Sequence, residues 1–343
     1  MAQLPENGRP CALVIGATGG IGGEVASALI GRGWAVRALS RSPGIAKRQS
    51  AWIGEVEWIA GDAMSGTDVI SAARGVSLIF HGANPPKYRN WRGLAIPMLE
   101  ASIAAAYSCG ARLIFPGNIY NFGPDAWPLV REMSPQNPCS RKGAVRVEME
   151  RLLRSATDNG VRSLIVRAGD FFGPHQPASW LKDAMITPGK PIRSVLYPGD
   201  PSVGHAWAYL PDFAQAIVRL AEVEQTLPPF DVFNFGGYWI DPGIEIAKAI
   251  GHAVGQPGIK IRSAPWWLFR LAAPFSPFLR ELMEMRYLWR TPVKLDNRKL
   301  VALIGDEPHR PLEEALHDVL AAYGCLTAPG PGACQAQLEG SRS

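Results

Sequence analysis

The chain has 343 residues, with 35 Lys and Arg against 30 Asp and Glu for a net charge of +5, and 47% hydrophobic residues. A charge so mild, spread along the chain rather than gathered in runs, does not indicate nucleic-acid binding, but leaves room for a locally positive phosphate pocket. The five cysteines form no CxxC pair and show no metal-ligand spacing with histidine, so a reducing cytosol and no metal site are expected. Residues 1–7 lack the basic and apolar blocks of a signal peptide, and no run of about 18 apolar residues is present for a membrane span. A soluble, cytoplasmic protein is the expectation.

The first element is an apolar strand, Ala12 to Ile15, that runs into glycines spaced Gly16-x-x-Gly19-x-x-Gly22. Gly16 suits a tight turn, Gly19 a close backbone approach to a pyrophosphate, and Gly22 close packing of helix on strand. Ile21, Val25, Ala28 and Leu29 recur at helical spacing, and Gly33 ends that helix. The turn residues Gly16, Thr18, Gly19, Gly20, Ile21 and Gly22 are therefore read as a dinucleotide cradle at a helix N-terminus.

A second strand, Trp34 to Leu39, ends in Ser40-Arg41 where an acidic residue would accept hydrogen bonds from an adenosine ribose. An arginine there accommodates a 2′-phosphate instead, which favours NADP over NAD. Strands are next predicted over Val56–Ala60, Val76–Phe80, Arg112–Phe115 and Ser163–Arg167, with helices over Leu94–Ala106 and Ala144–Ala156 between them. Asp62 and Ala63 follow the third strand at a place suited to the adenine, and Gly82 and Ala83 follow the fourth, beneath the ribose and nicotinamide. Such alternation predicts an α/β protein with a Rossmann-type, doubly wound parallel sheet and ligands at the carboxyl ends of its strands.

From about Gly169 repeated prolines break the pattern, and a smaller, loop-rich C-terminal substrate lobe is expected to begin. The predicted organisation is a cofactor domain over 8–168, with 205–236 returning to it, a substrate lobe over 169–204 and 237–325, and a disordered tail over 326–343. The segment Pro265 to Trp289 is read as a pair of packed helices at a subunit contact, with a membrane-surface helix as the other reading.

In this order, the glycine turn, Gly61-Asp62, Phe115-Pro116-Gly117-Asn118-Ile119-Tyr120, Arg167-Ala168-Gly169-Asp170-Phe171-Phe172-Gly173-Pro174, His205 to Asp212 and Phe233-Asn234-Phe235-Gly236-Gly237 resemble the extended short-chain dehydrogenase/reductases of the NAD(P)-dependent epimerase/dehydratase type. The resemblance covers most of the chain. It implies hydride transfer assisted by a Tyr-x-x-x-Lys pair and a serine or threonine on the substrate oxygen. None of the eight tyrosines has a lysine four residues on. The family lysine would fall at Lys142, which would also reach the cofactor ribose, with the tyrosine position at Pro138; counting back from Tyr120, the serine position falls on Pro116, with Asn118 the nearest polar side chain.

Carbonyl reduction needs a positioned proton donor, and the candidates are Tyr120, Lys142, Asn118 and His175. Tyr120 reads equally as a packed aromatic, and Asn118 as turn chemistry after Gly117. Phe171, Phe172, Trp180, His205 and Trp207 are the expected substrate contacts, His205 reading equally as a structural hydrogen bond. Rings of this kind suit a hydrophobic molecule better than a nucleotide sugar. The leading expectation is an NADP(H)-dependent oxidoreductase acting on a small hydrophobic carbonyl or conjugated compound. A non-catalytic NADP-binding redox regulator and a sugar-nucleotide epimerase or dehydratase are the alternatives. No nucleic-acid partner is expected, and a homodimer is an open possibility.

Overall fold

Cys11–Ile15 (β1) is wholly buried in the computed structural model, which describes residues 8–85 and 91–326, the side chains at 277, 278 and 281 aside. Its side chains alternate between two cores: Ala12 and Val14 face one, Leu13 and Ile15 the other. A strand apolar on both sides belongs at the centre of a parallel sheet with helices on both faces.

That sheet follows. The glycine turn leads into Gly20–Gly31 (α1), then Ala35–Ser40 (β2), Pro43–Gln49 (α2), Glu57–Ala60 (β3), Gly66–Ala72 (α3), Leu78–His81 (β4), Trp91–Cys109 (α4) and Arg112–Asn118 (β5). After a short Leu129–Val130 strand (β6) come Arg141–Ala156 (α5) and Arg162–Ala168 (β7). Next come Asp170–Phe172 (β8), Ser194–Tyr197 (β9), His205–Tyr209 (β10), Leu210–Glu222 (α6) and Phe230–Asn234 (β11). The order β11-β7-β5-β4-β1-β2-β3 makes one seven-stranded sheet, parallel throughout. The Rossmann-type expectation holds. The order reverses between β1 and β4, and the crevice at their carboxyl ends is where such sheets receive ligands.

Helix α6 packs its Phe213 and Ile217 into the same core as Val25 and Leu29 of α1; Val145, Met149 and Leu153 of α5 join Leu99 and Ala105 of α4 on the other face. The chain returns to the large sheet through α6 and β11. The 205–209 strand expected to begin that return pairs elsewhere, with β8 and with Tyr238–Ile240 (β12) in a three-stranded sheet.

Beyond β12 the chain forms Glu245–Ala253 (α7), Lys260–Ser263 (β13), Trp266–Ala272 (α8), Pro277–Glu284 (α9), Lys294–Leu295 (β14), Arg298–Ile304 (α10) and Leu312–Ala322 (α11). A separate core of Phe172, Val195, Trp207, Ile246, Trp289 and Leu316 holds much of this region together. Among the described residues no helix is long and apolar enough to cross a membrane. Apart from Leu326, the expected tail lies outside the described residues, as does Tyr88.

Candidate active site

At the first turn, Gly16 takes φ +90°, and a Cβ there would stand 2.6 Å from the Gly82 carbonyl carbon and 2.7 Å from the Ala83 nitrogen. The ends of β1 and β4 touch backbone to backbone, so only glycine fits. At Gly22 a Cβ would stand 2.3 Å from the Gly16 oxygen, and the Gly19 N–H donates to that oxygen at 3.0 Å. Gly19 caps α1 without a side chain, and the first turn of α1 carries no acidic residue. The uncapped N–H groups and the positive end of the helix dipole suit a pyrophosphate. The backbone cradle thus fits a dinucleotide, with Gly16 and Gly22 making its close backbone contacts, Gly19 and Gly20 at the start of α1, Thr18 exposed and Ile21 partly buried in the same turn.

Around the cradle, β2 ends at Ser40, whose Oγ accepts from the Ser42 N–H at 3.2 Å, and the Arg41 that follows is exposed. After β3, the Asp62 N–H donates to Asp68 Oδ2 at 2.9 Å, which orders the Gly61-Asp62-Ala63 turn. Gly82 is drawn to β1 by its N–H donating to the Ile15 carbonyl at 2.8 Å.

His81, the last residue of β4, lies 1% exposed with Nδ1 2.7 Å from Ser102 Oγ. Burial, aided by the Arg146 charge, lowers its pKa to about 3. It stays neutral at working pH and is no acid–base group. As pH falls below the ordinary value of 6.5, the unfolded chain takes up a proton that the folded chain refuses until about 3. Stability present above 6.5 is therefore lost across that window. Urea unfolding between those limits is expected to show a shallower fall in His81→Asn than in the parent; equal slopes would refute the assignment.

The carboxyl end of β5 is where the counting from sequence goes astray. Pro116 is an interior strand residue, paired with Val166 of β7, and the strand continues to Asn118, paired with Ala168. Asn118, not Pro116, holds the strand-end position. Its Oδ1 accepts from the Tyr120 N–H at 2.9 Å, so the donors it can offer a substrate oxygen are its amide N–H groups. Tyr120 is half-buried against Ile119, Phe122 and Val130.

Helix α5 corrects the second register. Ser140 is its N-cap, its Oγ accepting from the Gly143 N–H at 3.0 Å, so Pro138 precedes the helix and shares no face with Lys142. Two residues spaced i, i+4 on the helix are Lys142 and Arg146. Lys142 is buried in the first turn. Gly143 brings that turn onto the chain just past the strand end, since a Cβ there would collide with the backbone carbonyl oxygen of Tyr120. Arg146 was missed. Its Nη1 donates to the Pro116 carbonyl at 3.3 Å, and its guanidinium lies 5.0 Å from the Trp91 ring centre and 5.2 Å from that of Phe115. The i, i+4 pair of cations after a serine cap is a signal present in the sequence.

The far wall comes from the C-terminal region. Glu284 of α9 accepts from the Arg141 N–H at 2.6 Å and the Lys142 N–H at 3.4 Å, fixing the start of α5. Tyr287, which no spacing rule could have found, lies beside the Ser140 cap, and burial pushes its hydroxyl pKa up.

Several expected substrate contacts are placed otherwise. Phe172 and Trp207 are 0% exposed and pack edge-on at 6.1 Å inside the core of the small sheet. With no surface, they support the lobe from within. Phe171 packs edge-on against Phe213, and Trp180 packs edge-on against Trp289. His205 is held from both sides, Nε2 at 2.8 Å from Asp170 Oδ2 and its ring stacked at 4.0 Å on Trp289, an arrangement that reads as structural. His175 lies away from the β5 end: its Nδ1 is 3.0 Å from Glu24 Oε1 and its ring stacks on Trp52 at 3.5 Å. It ties the 173–177 loop to α1. The neighbouring Gln176 presses its Oε1 to 1.8 Å from where a Gly20 Cβ would be, so this loop roofs the glycine turn.

The profile of the NAD dependent epimerase/dehydratase family matches residues 12–236. No curated protein sequence matches the chain. Among solved structures, UDP-glucuronic acid 4-epimerase from Bacillus cereus, in complex with UDP-glucuronic acid and NAD, is similar at 17% identity and TM-score 0.70, over 91% of this chain and 98% of that one. UDP-glucose 4-epimerase from Bifidobacterium longum, in complex with NAD+ and UDP, is similar at 14% identity and TM-score 0.66 over the same shares. A double mutant of the dTDP-glucose 4,6-dehydratase DesIV from Streptomyces venezuelae matches at 16% identity and TM-score 0.67, over 91% of this chain and 96% of that one. Identities this low carry the fold alone.

Proposed function

The chain belongs to the NAD dependent epimerase/dehydratase family, and on that premise we propose that it is an oxidoreductase-type enzyme moving a hydride between a nicotinamide dinucleotide and a sugar carbon of a nucleotide-linked substrate. The observation that carries the reading is the seating of Lys142 in the first turn of α5 against the carboxyl end of β5, two strands from the glycine turn. When bound, the nicotinamide supplies a reversible hydride acceptor. Lys142 Nζ exchanges the proton of the reacting sugar hydroxyl, the Asn118 amide donates a hydrogen bond to that oxygen, and Arg146 clamps α5 to β5 through the Pro116 carbonyl. A small hydrophobic carbonyl loses its main support, because Phe172 and Trp207, two of the rings meant to line its pocket, belong to the core. The structural neighbours with bound or named nucleotide sugars support the alternative substrate class.

For the cofactor we retain NADP, on the absence of an acid at the end of β2 and the exposed Arg41 there. The test is the purified chain with NADP or NAD against UDP-glucose, UDP-glucuronic acid and dTDP-glucose, followed by cofactor absorbance and by product NMR. Conversion of at least one sugar is expected; cofactor binding with no conversion of any would favour the non-catalytic regulator. In the same titrations Arg41→Ala should weaken NADPH about 10–100-fold, the worth of a charge-assisted hydrogen bond, and leave NADH unchanged. Equal losses for both would withdraw NADP.

A further inference from the structure

We propose that α8 and the turn after it form a docking face for an anionic phospholipid surface. Trp267, Leu268, Leu271 and Phe275 fall within nine residues and are all exposed, Trp267 at 70% and Phe275 at 89%. They make up half of the exposed large hydrophobic side chains among the described residues. Trp267, Leu268 and Leu271, at i, i+1 and i+4, share one side of α8, which has no buried residue, and Phe275 follows in the turn after it. A contiguous patch of this kind marks an interaction site.

The face is rigidly mounted. Trp266 points the other way, its Nε1 donating to the Pro198 carbonyl at 2.7 Å, with the Arg286 guanidinium 5.1 Å from its ring centre. Ser276 caps α9 directly behind the patch, its Oγ accepting from the Leu279 N–H at 3.4 Å.

Charge selects the occupant. Residues 260–290 hold six Lys and Arg against two Glu, so the segment that carries the patch has a net charge of +4. Lys260, Arg262, Arg270, Arg280 and Arg290 are exposed. A second copy seated on this face would oppose +4 with +4, whereas an anionic bilayer complements it, and tryptophan and phenylalanine among arginines suit the headgroup boundary. Glu284, at the end of the α9 that follows the docking face, holds the start of α5, the turn that carries Lys142.

The test is flotation of the full chain with vesicles of phosphatidylcholine alone or of equimolar phosphatidylcholine and phosphatidylglycerol. Recovery with the anionic vesicles should exceed that with the neutral ones by about tenfold and fall as salt is raised. Arg270→Gln should lower it about fivefold, at roughly 1 kcal/mol per charge near the surface. Trp267→Ser with Phe275→Ser should lower it by about tenfold or more while the melting temperature holds, both side chains being exposed. No flotation, equal flotation with both vesicles, or unchanged flotation of the double variant overturns the proposal. So does a dimer in sedimentation equilibrium that the double variant turns into a monomer, which would give the face to a second copy.

Discussion

Lys142→Met is expected to lower kcat by about 10³-fold, the middle of the range for loss of a general acid–base group. The side chain is buried, and methionine matches the length of the lysine stem, so the variant should fold and bind cofactor as the parent does. The loss should appear in kcat with little change in KM, because the amine acts on a proton that moves only during reaction. Lys142→Arg separates charge from proton exchange. An arginine keeps the positive charge but cannot be deprotonated, so kcat should stay low with KM again little changed. Turnover near the parental rate in both variants would remove Lys142 from the chemistry. Loss of cofactor fluorescence quenching in either would show instead that the lysine holds the ribose.

The glycine turn was legible because every constraint on it is local: a strand, a turn that only glycine can make, and a helix that must pass close. The end of β2 was legible for the same reason. Lys142 was found, but its partner position was set one turn too early, at Pro138, because no Tyr-x-x-x-Lys spacing fixed the register. The Ser140 cap, a local signal, would have started the helix after Pro138 and set Lys142 and Arg146 on it together. His175 and the aromatics are a different matter. His175 is held by Glu24, 151 positions away, and Trp207 is buried by rings from β8 and from Trp289. Only the tertiary fold decides whether such side chains line a cleft or fill a core.

Glu150→Gln or Arg167→Met should destabilise the fold by about 3–5 kcal/mol, because either leaves one member of a buried pair without its counter-charge. Arg167 is 1% exposed and Glu150 5%. The guanidinium donates to both carboxylate oxygens, Nε to Oε1 at 3.0 Å and Nη2 to Oε2 at 2.6 Å, and Nη1 donates to the Glu132 carbonyl at 3.0 Å. The Gln136 amide adds a bond to Glu150 Oε2 at 2.8 Å and itself accepts from Asn121 Nδ2 at 3.1 Å. Gly117 makes room for the crossing side chain, since a Cβ there would stand 2.6 Å from Arg167 Cγ. One ion pair thereby joins β7, α5 and the segment after β5, the three pieces that place Asn118 and Lys142. For a chain of this size the loss corresponds to a fall in melting temperature of about 5 °C. The double variant Arg167→Met with Glu150→Leu removes both charges and should recover much of that loss, as apolar replacements of buried pairs do. Thermal melts of the two single variants and the double variant form the cycle that measures the coupling. Additive losses, with no recovery in the double variant, would mean that the pair is not what holds α5 to β7. Recovery of stability without recovery of kcat would show that the pair also sets the angle at which α5 presents Lys142.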